Sequence, residues 1–159
     1  SMDKSTPVTR DLDARRISYR FFHHPGPVHS LEQAAQERGQ QPEQVVRSIL
    51  FRLSENQYVM VLMAGPRQIA WPALRKYLGQ SRISMASPEE VVSVTGYQPG
   101  SVSPFGLPAP LRVLVDQSVL AQTEISIGSG LRGTTIILNT EDLLQALGSP
   151  ETGQFGETE

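Results

Sequence analysis

The groups in this sequence that could do chemistry are concentrated in two stretches rich in glycine. Residues 96–110 hold three glycines and four prolines, and residues 128–133 have glycine at their first, third and sixth positions. Glycine allows backbone N–H groups to approach a ligand closely and to converge on one oxygen atom. We therefore expect both stretches to face one pocket, although ordinary hairpin and crossover turns have a similar composition.

The residue types exclude several common kinds of catalytic site. The chain has no cysteine, and the adjacent His23 and His24 would point to opposite faces of a strand, so neither a metal site nor a cofactor is expected. No serine stands in a G-x-S-x-G elbow. The G-x-G-x-x-G of residues 128–133 precedes a strand pattern, where a dinucleotide site needs a helix. Backbone donors, hydroxyls and arginine remain, and these suit polarisation of an ester or binding of an anion.

Charge and hydropathy limit the partners of this chain. The net charge is −2 over 159 residues, but without residues 1–7 and 149–159 it is close to +1. That is too small for the basic face of a protein that grips nucleic acid regardless of sequence, so DNA is not expected as a partner. No apolar run approaches the ~18 residues of a membrane-spanning helix, and no signal-peptide pattern is present. We expect a cytoplasmic protein without a membrane partner.

The elements that must position the two glycine stretches are short helices interleaved with strands. Capping residues Ser30 and Ser87 and the stop signals Gly39 and Gly96 mark two of the helices. Residues 42–53 fit either a helix or a helical turn followed by a strand, and we choose the second, with a hairpin turn at 54–57. The predicted helices are 11–16, 30–38, 71–78, 87–95 and a last one capped by Thr140; the predicted strands are 17–21, 49–53, 58–63, 111–116, 124–127 and 134–138.

This alternation predicts an α/β domain of the α+β type: a single domain with a curled mixed sheet flanked by short helices, spanning residues 8–148. Residues 1–7 are polar, and residues 149–159 are acidic and lack an apolar pattern. Both ends are therefore predicted to be disordered.

Six stretches together resemble one known family, the YbaK-like aminoacyl-tRNA deacylases, which are free-standing relatives of the editing domain inserted in bacterial prolyl-tRNA synthetase. The resemblance runs from about Ile17 to Leu147. Residues 100–106 and 128–133 carry most of its specificity, and the others are 30–35, 42–47, 86–90 and 95–97. The resemblance implies hydrolysis, in trans, of the ester that joins a wrong amino acid to tRNA.

The resemblance also implies roles for particular residues. Backbone N–H groups of residues 100–106 and 128–130 would stabilise the oxyanion, and Arg47 would anchor the ester carbonyl or the terminal phosphate. Met63, Val102 and Phe105 would set the size of the pocket. The expected catalytic set is Arg47, Gly100, Ser101, Gly128, Ser129 and Gly130. The expected substrate-binding set is His24, His29, Met63, Val102, Ser103, Pro104, Phe105, Gly106, Arg132 and Thr135.

Two positions depart from the family pattern. Arg47 stands where the family usually has lysine, and arginine cannot act as a general base because it does not lose its proton. Thr135 stands where some members have aspartate, and His24 lies near a position where some have tyrosine. Arg47 could instead be a strand-end residue making a surface ion pair.

Three functions therefore stay open. The expected one is a deacylase for a small amino acid such as Ala, Cys or Ser on tRNA, with the tRNA acceptor end and possibly an aminoacyl-tRNA synthetase as partners. The second is a non-catalytic module of the same fold that binds a tRNA acceptor end or a synthetase. The third is a hydrolase for another small acyl ester.

Overall fold

Helices and strands alternate along the chain, as the sequence predicts. The structure, a computed structural model, describes residues 5–158. In chain order its elements are α1 (Pro7–Ala14), β1 (Arg20–His23), α2 (Leu31–Arg38), a 3₁₀ turn (Pro42–Gln44), β2 (Val46–Ser54), β3 (Gln57–Ala64), α3 (Trp71–Leu78), β4 (Ser84–Met85), α4 (Pro88–Thr95), β5 (Arg112–Asp116), α5 (Gln117–Leu120), β6 (Glu124–Gly128), β7 (Thr134–Asn139), α6 (Thr140–Leu147) and β8 (Glu151–Gly153).

Side-chain caps mark the first residues of α1, α2, α4 and α5. Ser30 accepts a hydrogen bond from the Gln33 N–H, and Ser87 forms a reciprocal capping box with Glu90, as predicted. Helix α6 differs from the prediction, because Asn139 is its N-cap residue and makes no side-chain cap, while the Thr140 hydroxyl has no partner among the described residues.

The strands form two sheets rather than the one curled sheet that we expected. In the first sheet β7 lies between β1 and β6, and every pair is antiparallel. The second has the order β4-β2-β3-β5-β8, with an antiparallel β2–β3 hairpin and parallel pairs of β5 with β3 and β8. A single parallel bridge between Val45 and Ser126 joins the two sheets. The predicted mixed α/β domain is confirmed, with its sheet divided at this bridge.

The five-stranded sheet is covered on both faces. Met60 and Leu62 of β3 pack on one face against Ile127 and Ile136 of the other sheet. Met63, on the opposite face of β3, packs with Leu74 and Phe155 in a second core cluster. Side chains that alternate along β3 therefore enter different cores, as the period of a strand requires.

The C-terminal segment corrects the prediction of a disordered tail. Strand β8 adds to the edge of the five-stranded sheet through its parallel pairing with β5. Phe155 is 1 % exposed, and its N–H donates to Asp116 Oδ1 at 2.6 Å. One aromatic side chain and three strand residues suffice to order this segment, although its sequence has no repeating apolar pattern.

The N-terminal prediction also changes. Helix α1 begins at Pro7 rather than near Asp11, because Thr6 caps it. The Thr6 hydroxyl also donates to the Ser129 carbonyl at 2.6 Å, so this end is tied to the second glycine loop. Residues 1–4 of the segment predicted to be disordered lie outside the described residues.

No helix within residues 5–158 is long and apolar enough to cross a lipid bilayer.

Candidate active site

A cavity of about 400 Å³ lies beside the bridge that joins the two sheets, and we call it the α2–β2 pocket. Helix α2, the start of β2, the end of β6, the start of β7 and the loop after α4 enclose it. It brings together five of the predicted site residues, namely Arg47, Gly100, Val102, Gly128 and Thr135. Its walls are mainly apolar and include Val28, Leu31, Ala34, Val46 and Ile127.

The two glycine loops touch each other at this pocket, as expected from the sequence. The Gly130 N–H donates to the Ser101 carbonyl at 3.0 Å. A Cβ atom at Gly128 would lie 2.0 Å from the Val102 carbonyl oxygen, so only glycine allows this approach. The absence of a side chain at Gly128 thus determines how close the two loops come.

Several of the backbone donors predicted to hold an oxyanion already have partners within the protein. The Ser101 N–H donates to the Gln98 carbonyl, the Phe105 N–H to Ser103 Oγ, and the Gly106 N–H to Asp11 Oδ2. Gly100 and Val102 differ, because their N–H groups have no acceptor within residues 5–158 and both residues line the pocket. Their N–H groups are the donors that we consider for a ligand in this pocket.

The three serines of the loops stabilise turns. The Ser101 hydroxyl donates to the Gln98 carbonyl at 2.9 Å, and Ser103 Oγ accepts from Phe105. Ser129 Oγ bonds to Leu131 and to the Thr134 hydroxyl and is fully buried. Within residues 5–158 none of these hydroxyls bonds to a histidine or a carboxylate, so the described structure shows no base that would activate them as nucleophiles.

Several predicted substrate-binding residues lie elsewhere. Met63 is fully buried on the far face of β3, and Phe105 is 1 % exposed in the core. Neither lines the α2–β2 pocket, contrary to the prediction that they set its size, because the strand period and the loop path turn them into the two cores. Pro104 and Gly106 border a different surface groove, His29 is exposed before α2, and Arg132 is exposed with Nη2 3.4 Å from the Pro99 carbonyl.

Arg47 lines the pocket, but its guanidinium is tied to the loop after β3. Nε donates to the Gly65 carbonyl at 2.9 Å, and Nη2 donates to the Arg67 carbonyl. Burial lowers the pKa of Arg47. Its contacts are therefore with backbone carbonyls, and the surface ion pair considered from the sequence does not occur among the described residues.

Arg38 is a pocket residue that our sequence reasoning missed. Its Nε donates to His24 Nε2 at 3.1 Å, and its Nη1 donates to Ser126 Oγ at 2.9 Å. His24, whose side chain is 2 % exposed, places Nδ1 2.6 Å from Glu37 Oε1. A signal was available, since Arg38 follows Leu31 and Ala34 at helical spacings of seven and four and so shares their face of α2.

Thr135 is the other position that departs from the family pattern. Its hydroxyl donates to the Ile127 carbonyl at 2.7 Å, within the β6–β7 pair. The side chain is 2 % exposed, so it forms part of the pocket floor and has no donor left for a ligand.

Comparison with known families gives a match over most of the chain. A family model described as "Aminoacyl-tRNA editing domain" matches residues 25–146. The chain is 32% identical over 104 residues to the Multifunctional Ser/Thr-tRNA deacylase ProXp-y of Escherichia coli strain K12, a match that covers 65% of this chain and 62% of that protein. These matches confirm the resemblance indicated by the sequence motifs.

Two further relatives show how the chain relates to longer and similar-sized proteins. It is 30% identical over 138 residues to the Proline--tRNA ligase of Limosilactobacillus fermentum, covering 82% of this chain but only 24% of the ligase. It is 24% identical over 147 residues to the Prolyl-tRNA editing protein ProX of Acetoanaerobium sticklandii, covering 89% of each chain.

A solved structure agrees in fold. The structure titled "Crystal structure of a putative trans-editing enzyme for prolyl tRNA synthetase" superposes with a TM-score of 0.87 at 24% identity, covering 99% of this chain and all of that one.

Proposed function

Because the chain belongs to the aminoacyl-tRNA editing domain family, we propose that it hydrolyses in trans the ester that joins a wrong, small amino acid, such as Ala, Cys or Ser, to tRNA. The observation that carries this proposal is the pair of unused N–H groups of Gly100 and Val102 in the α2–β2 pocket. Two backbone donors of this kind stabilise the negative charge that develops on an ester carbonyl oxygen during hydrolysis. Each such donor is worth roughly 100- to 1,000-fold in rate.

The lining of the pocket limits the mechanism. Arginine is the only ionisable residue type among the described residues that line it. A side chain that acts as a general base or a nucleophile is therefore not at hand, and the attacking group is a water molecule, with the terminal ribose hydroxyl of the tRNA assisting it. The protein supplies positioning and charge stabilisation, which by themselves contribute several kcal/mol to catalysis.

The size and walls of the pocket favour a small amino acid. About 400 Å³ must accommodate the acyl group and part of the terminal ribose, and Leu31 and Ala34 of α2 give part of the pocket an apolar wall. Discrimination between side chains that differ by one methylene amounts to about 1–3 kcal/mol, so several small amino acids are substrates.

The test is deacylation of a panel of radiolabelled aminoacyl-tRNAs. We expect the Ala, Cys or Ser esters to be cleaved faster than esters of bulkier amino acids. Ala34→Leu, which places a larger side chain in the pocket, should slow cleavage, whereas Ala73→Leu, the same change at an exposed position of α3, should not. Cleavage of bulky and small esters at one rate, unaffected by Ala34→Leu, would contradict the proposal.

A non-catalytic module that holds the tRNA acceptor end or a synthetase is the alternative. It is favoured by Arg47, whose guanidinium is occupied by the Gly65 and Arg67 carbonyls, and by Thr135, whose hydroxyl is occupied by Ile127. Binding of aminoacyl-tRNA without accelerated deacylation of any member of the panel would establish this alternative.

A further inference from the structure

Arg38 carries a positive charge that makes no direct ion pair within the part of the chain that the structure describes. No carboxylate lies within ion-pair distance of its guanidinium among residues 5–158, although most of the side chain is enclosed. Burial lowers its pKa to about 10, so the group remains charged at neutral pH. Buried charges in proteins are normally paired with an opposite charge. The guanidinium of Arg38 in this cavity is therefore suited to bind an anionic group of a ligand.

The orientation of this guanidinium is fixed from two sides. Nε is held by His24 and Nη1 by Ser126, which leaves Nη2 without an acceptor within the described residues. Because His24 Nε2 accepts the bond from Arg38, the ring proton is on Nδ1 and is donated to Glu37. Glu37 Oε1 contacts the histidine and Oε2 accepts from Gln33, so the charge of Glu37 raises the pKa of Arg38 without a direct ion pair between them in the described part of the chain.

We propose that Arg38 binds the 5′-phosphate of the terminal tRNA nucleotide, with His24 and Ser126 as the residues that position it; this inference rests on the proposed function. Among the groups of an aminoacyl-nucleotide, the phosphate is the only anion, and the α-ammonium group would be repelled. A guanidinium presents its N–H donors in a planar arrangement that matches phosphate oxygens. Arg38 lines the same cavity as Gly100 and Val102, so one nucleotide reaches both.

Binding of small analogues tests the phosphate contact without any catalytic step. Alanine linked through a stable amide to 3′-amino-3′-deoxyadenosine is compared, by calorimetric titration, with the same compound carrying a 5′-phosphate. For the unaltered protein we expect the phosphate to tighten binding by about 10- to 150-fold, the range for hydrogen bonds to a charged group. Arg38→Gln should remove this preference and leave the affinity for the compound without phosphate nearly unchanged.

The control and the second variant make the test specific. Arg82→Gln removes the same charge at an exposed position far along the chain from the pocket, and the preference for phosphate should persist. Arg38→Lys keeps the charge but places all its donors on one nitrogen and loses the planar geometry of the guanidinium, so only part of the preference should remain. If Arg38→Gln does not fold, as judged by its thermal transition, Arg38→Lys decides by whether the preference falls.

The outcomes separate this inference from the proposed function. A preference for phosphate that survives both Arg38 variants overturns it, as does the absence of any preference, or of any binding up to millimolar concentration, in the unaltered protein. A preference that Arg38→Gln abolishes, in a protein that deacylates no aminoacyl-tRNA, supports the phosphate site and refutes the deacylase proposal. Deacylation by a protein whose binding is unaffected by the phosphate supports the deacylase proposal and refutes the phosphate site.

Discussion

At the scale of single residues, the two pocket arginines differ in the surroundings of their guanidinium groups. Arg47 donates to main-chain carbonyls of the protein, whereas Arg38 is held by His24 and Ser126 and its Nη2 has no acceptor among the residues that the structure describes. The family pattern drew attention to Arg47 and not to Arg38. A motif predicts the backbone position of a residue. The hydrogen-bond partners of its side chain depend on which carbonyls and hydroxyls the fold brings near.

Arg47→Ala should reduce stability. The change removes hydrogen bonds from β2 to the Gly65 and Arg67 carbonyls, and we expect the free energy of unfolding to fall by about 1–2 kcal/mol, less than for a fully buried charged pair. Urea denaturation measures this, and Arg47→Lys should restore part of the loss. Unchanged stability with slower deacylation would instead assign Arg47 the direct role in substrate binding that the family resemblance implies.

Gly128→Ala should separate the two glycine loops. Its new Cβ would lie 2.0 Å from the Val102 carbonyl oxygen and 2.8 Å from the carbonyl carbon, and main-chain atoms cannot move aside without displacing the Val102 N–H. We expect a loss of about 1–3 kcal/mol or more in stability, together with a loss of deacylation. Gly26→Ala is the matched control, because a Cβ atom at Gly26 would have no neighbouring atom within 4 Å; similar effects of both changes would refute the argument.

At this scale the sequence predicted the contact between the two glycine loops, but it did not predict which residues surround the individual side chains. The meeting of residues 100–102 with 128–130 follows from two loops of one composition, and Gly130 bonds to Ser101 as a consequence. The burial of Met63 and Phe105 was not predictable, because strand alternation allows either face until both cores are known. The helical spacing from Ala34 to Arg38 places both residues on one face of α2, but Arg38 belongs to no motif that would have drawn attention to it.

At the scale of elements, the segment after α6 acts as a clamp on the five-stranded sheet. Strand β8 pairs with β5, the Phe155 carbonyl accepts from the Ala70 N–H, and the Glu157 N–H donates to the Gln68 carbonyl. This segment therefore also braces the loop that accepts the hydrogen bonds of Arg47. Capped helices were predictable because their signals are local, whereas β8, β4 and α5 have two to four residues each and exist through distant pairing.

Phe155→Ala should be among the most destabilising single changes outside the pocket. The ring is 1 % exposed and contacts Tyr77 edge-on with centroids 5.1 Å apart, so its removal leaves a cavity in the second core. We expect a loss of about 3–5 kcal/mol, measured by urea unfolding. Gln154→Ala, at the exposed neighbouring position, should change stability by less than about 0.5 kcal/mol. Equal effects would mean that the segment does not pack as described.

The contribution of β8 should also depend on pH. The hydrogen bond from Arg112, and then that from Tyr77, holds the pKa of Glu151 below its ordinary value of 4.5. A carboxylate with a lowered pKa in the folded state stabilises the fold above its unfolded pKa and loses this effect as the pH falls through the folded value.

We therefore expect the unaltered protein to exceed Glu151→Gln in stability near pH 7, with the difference shrinking below about pH 4.5. Denaturation of both proteins from pH 3 to 7 measures it. Glu55→Gln, at an exposed turn without an ion pair in the described part of the chain, should show no such trend. A difference that is constant across this pH range would contradict the role of the Arg112 contact.

At the scale of the whole molecule, the charge distribution predicts a weak grip on tRNA. Residues 8–148 carry a net charge near +1. A small number of phosphate contacts, such as three, gives a slope of log affinity against log salt concentration of about −2 to −3. Filter binding at several salt concentrations measures the slope, and a value near −7 or steeper would show an extensive basic interface that the charge distribution does not indicate.

The fold class was the most predictable property at this scale. Capping signals and strand runs gave an interleaved order of helices and strands, and the structure agrees. The division into two sheets was not predictable. Val45 and Ser126 form an isolated bridge, and the strand pairing does not continue beyond it. Periodicity says which face of a strand is buried, but it does not say which neighbour the strand has.

The pairing of β1 with β7 has a kinetic consequence. His23 pairs with Thr134, and Thr6 bonds to Ser129, so the three-stranded sheet joins segments separated by more than a hundred residues of intervening chain. Closing so long a loop lowers the entropy of the chain before the stabilising contacts form, and domains dominated by such pairings fold slowly. The residues that line the α2–β2 pocket come from both parts of the chain, residues 28–48 and residues 100–135. A nascent chain can thus form its local hairpins and helices and still lack a complete α2–β2 pocket, because residues on both sides of this long loop line it.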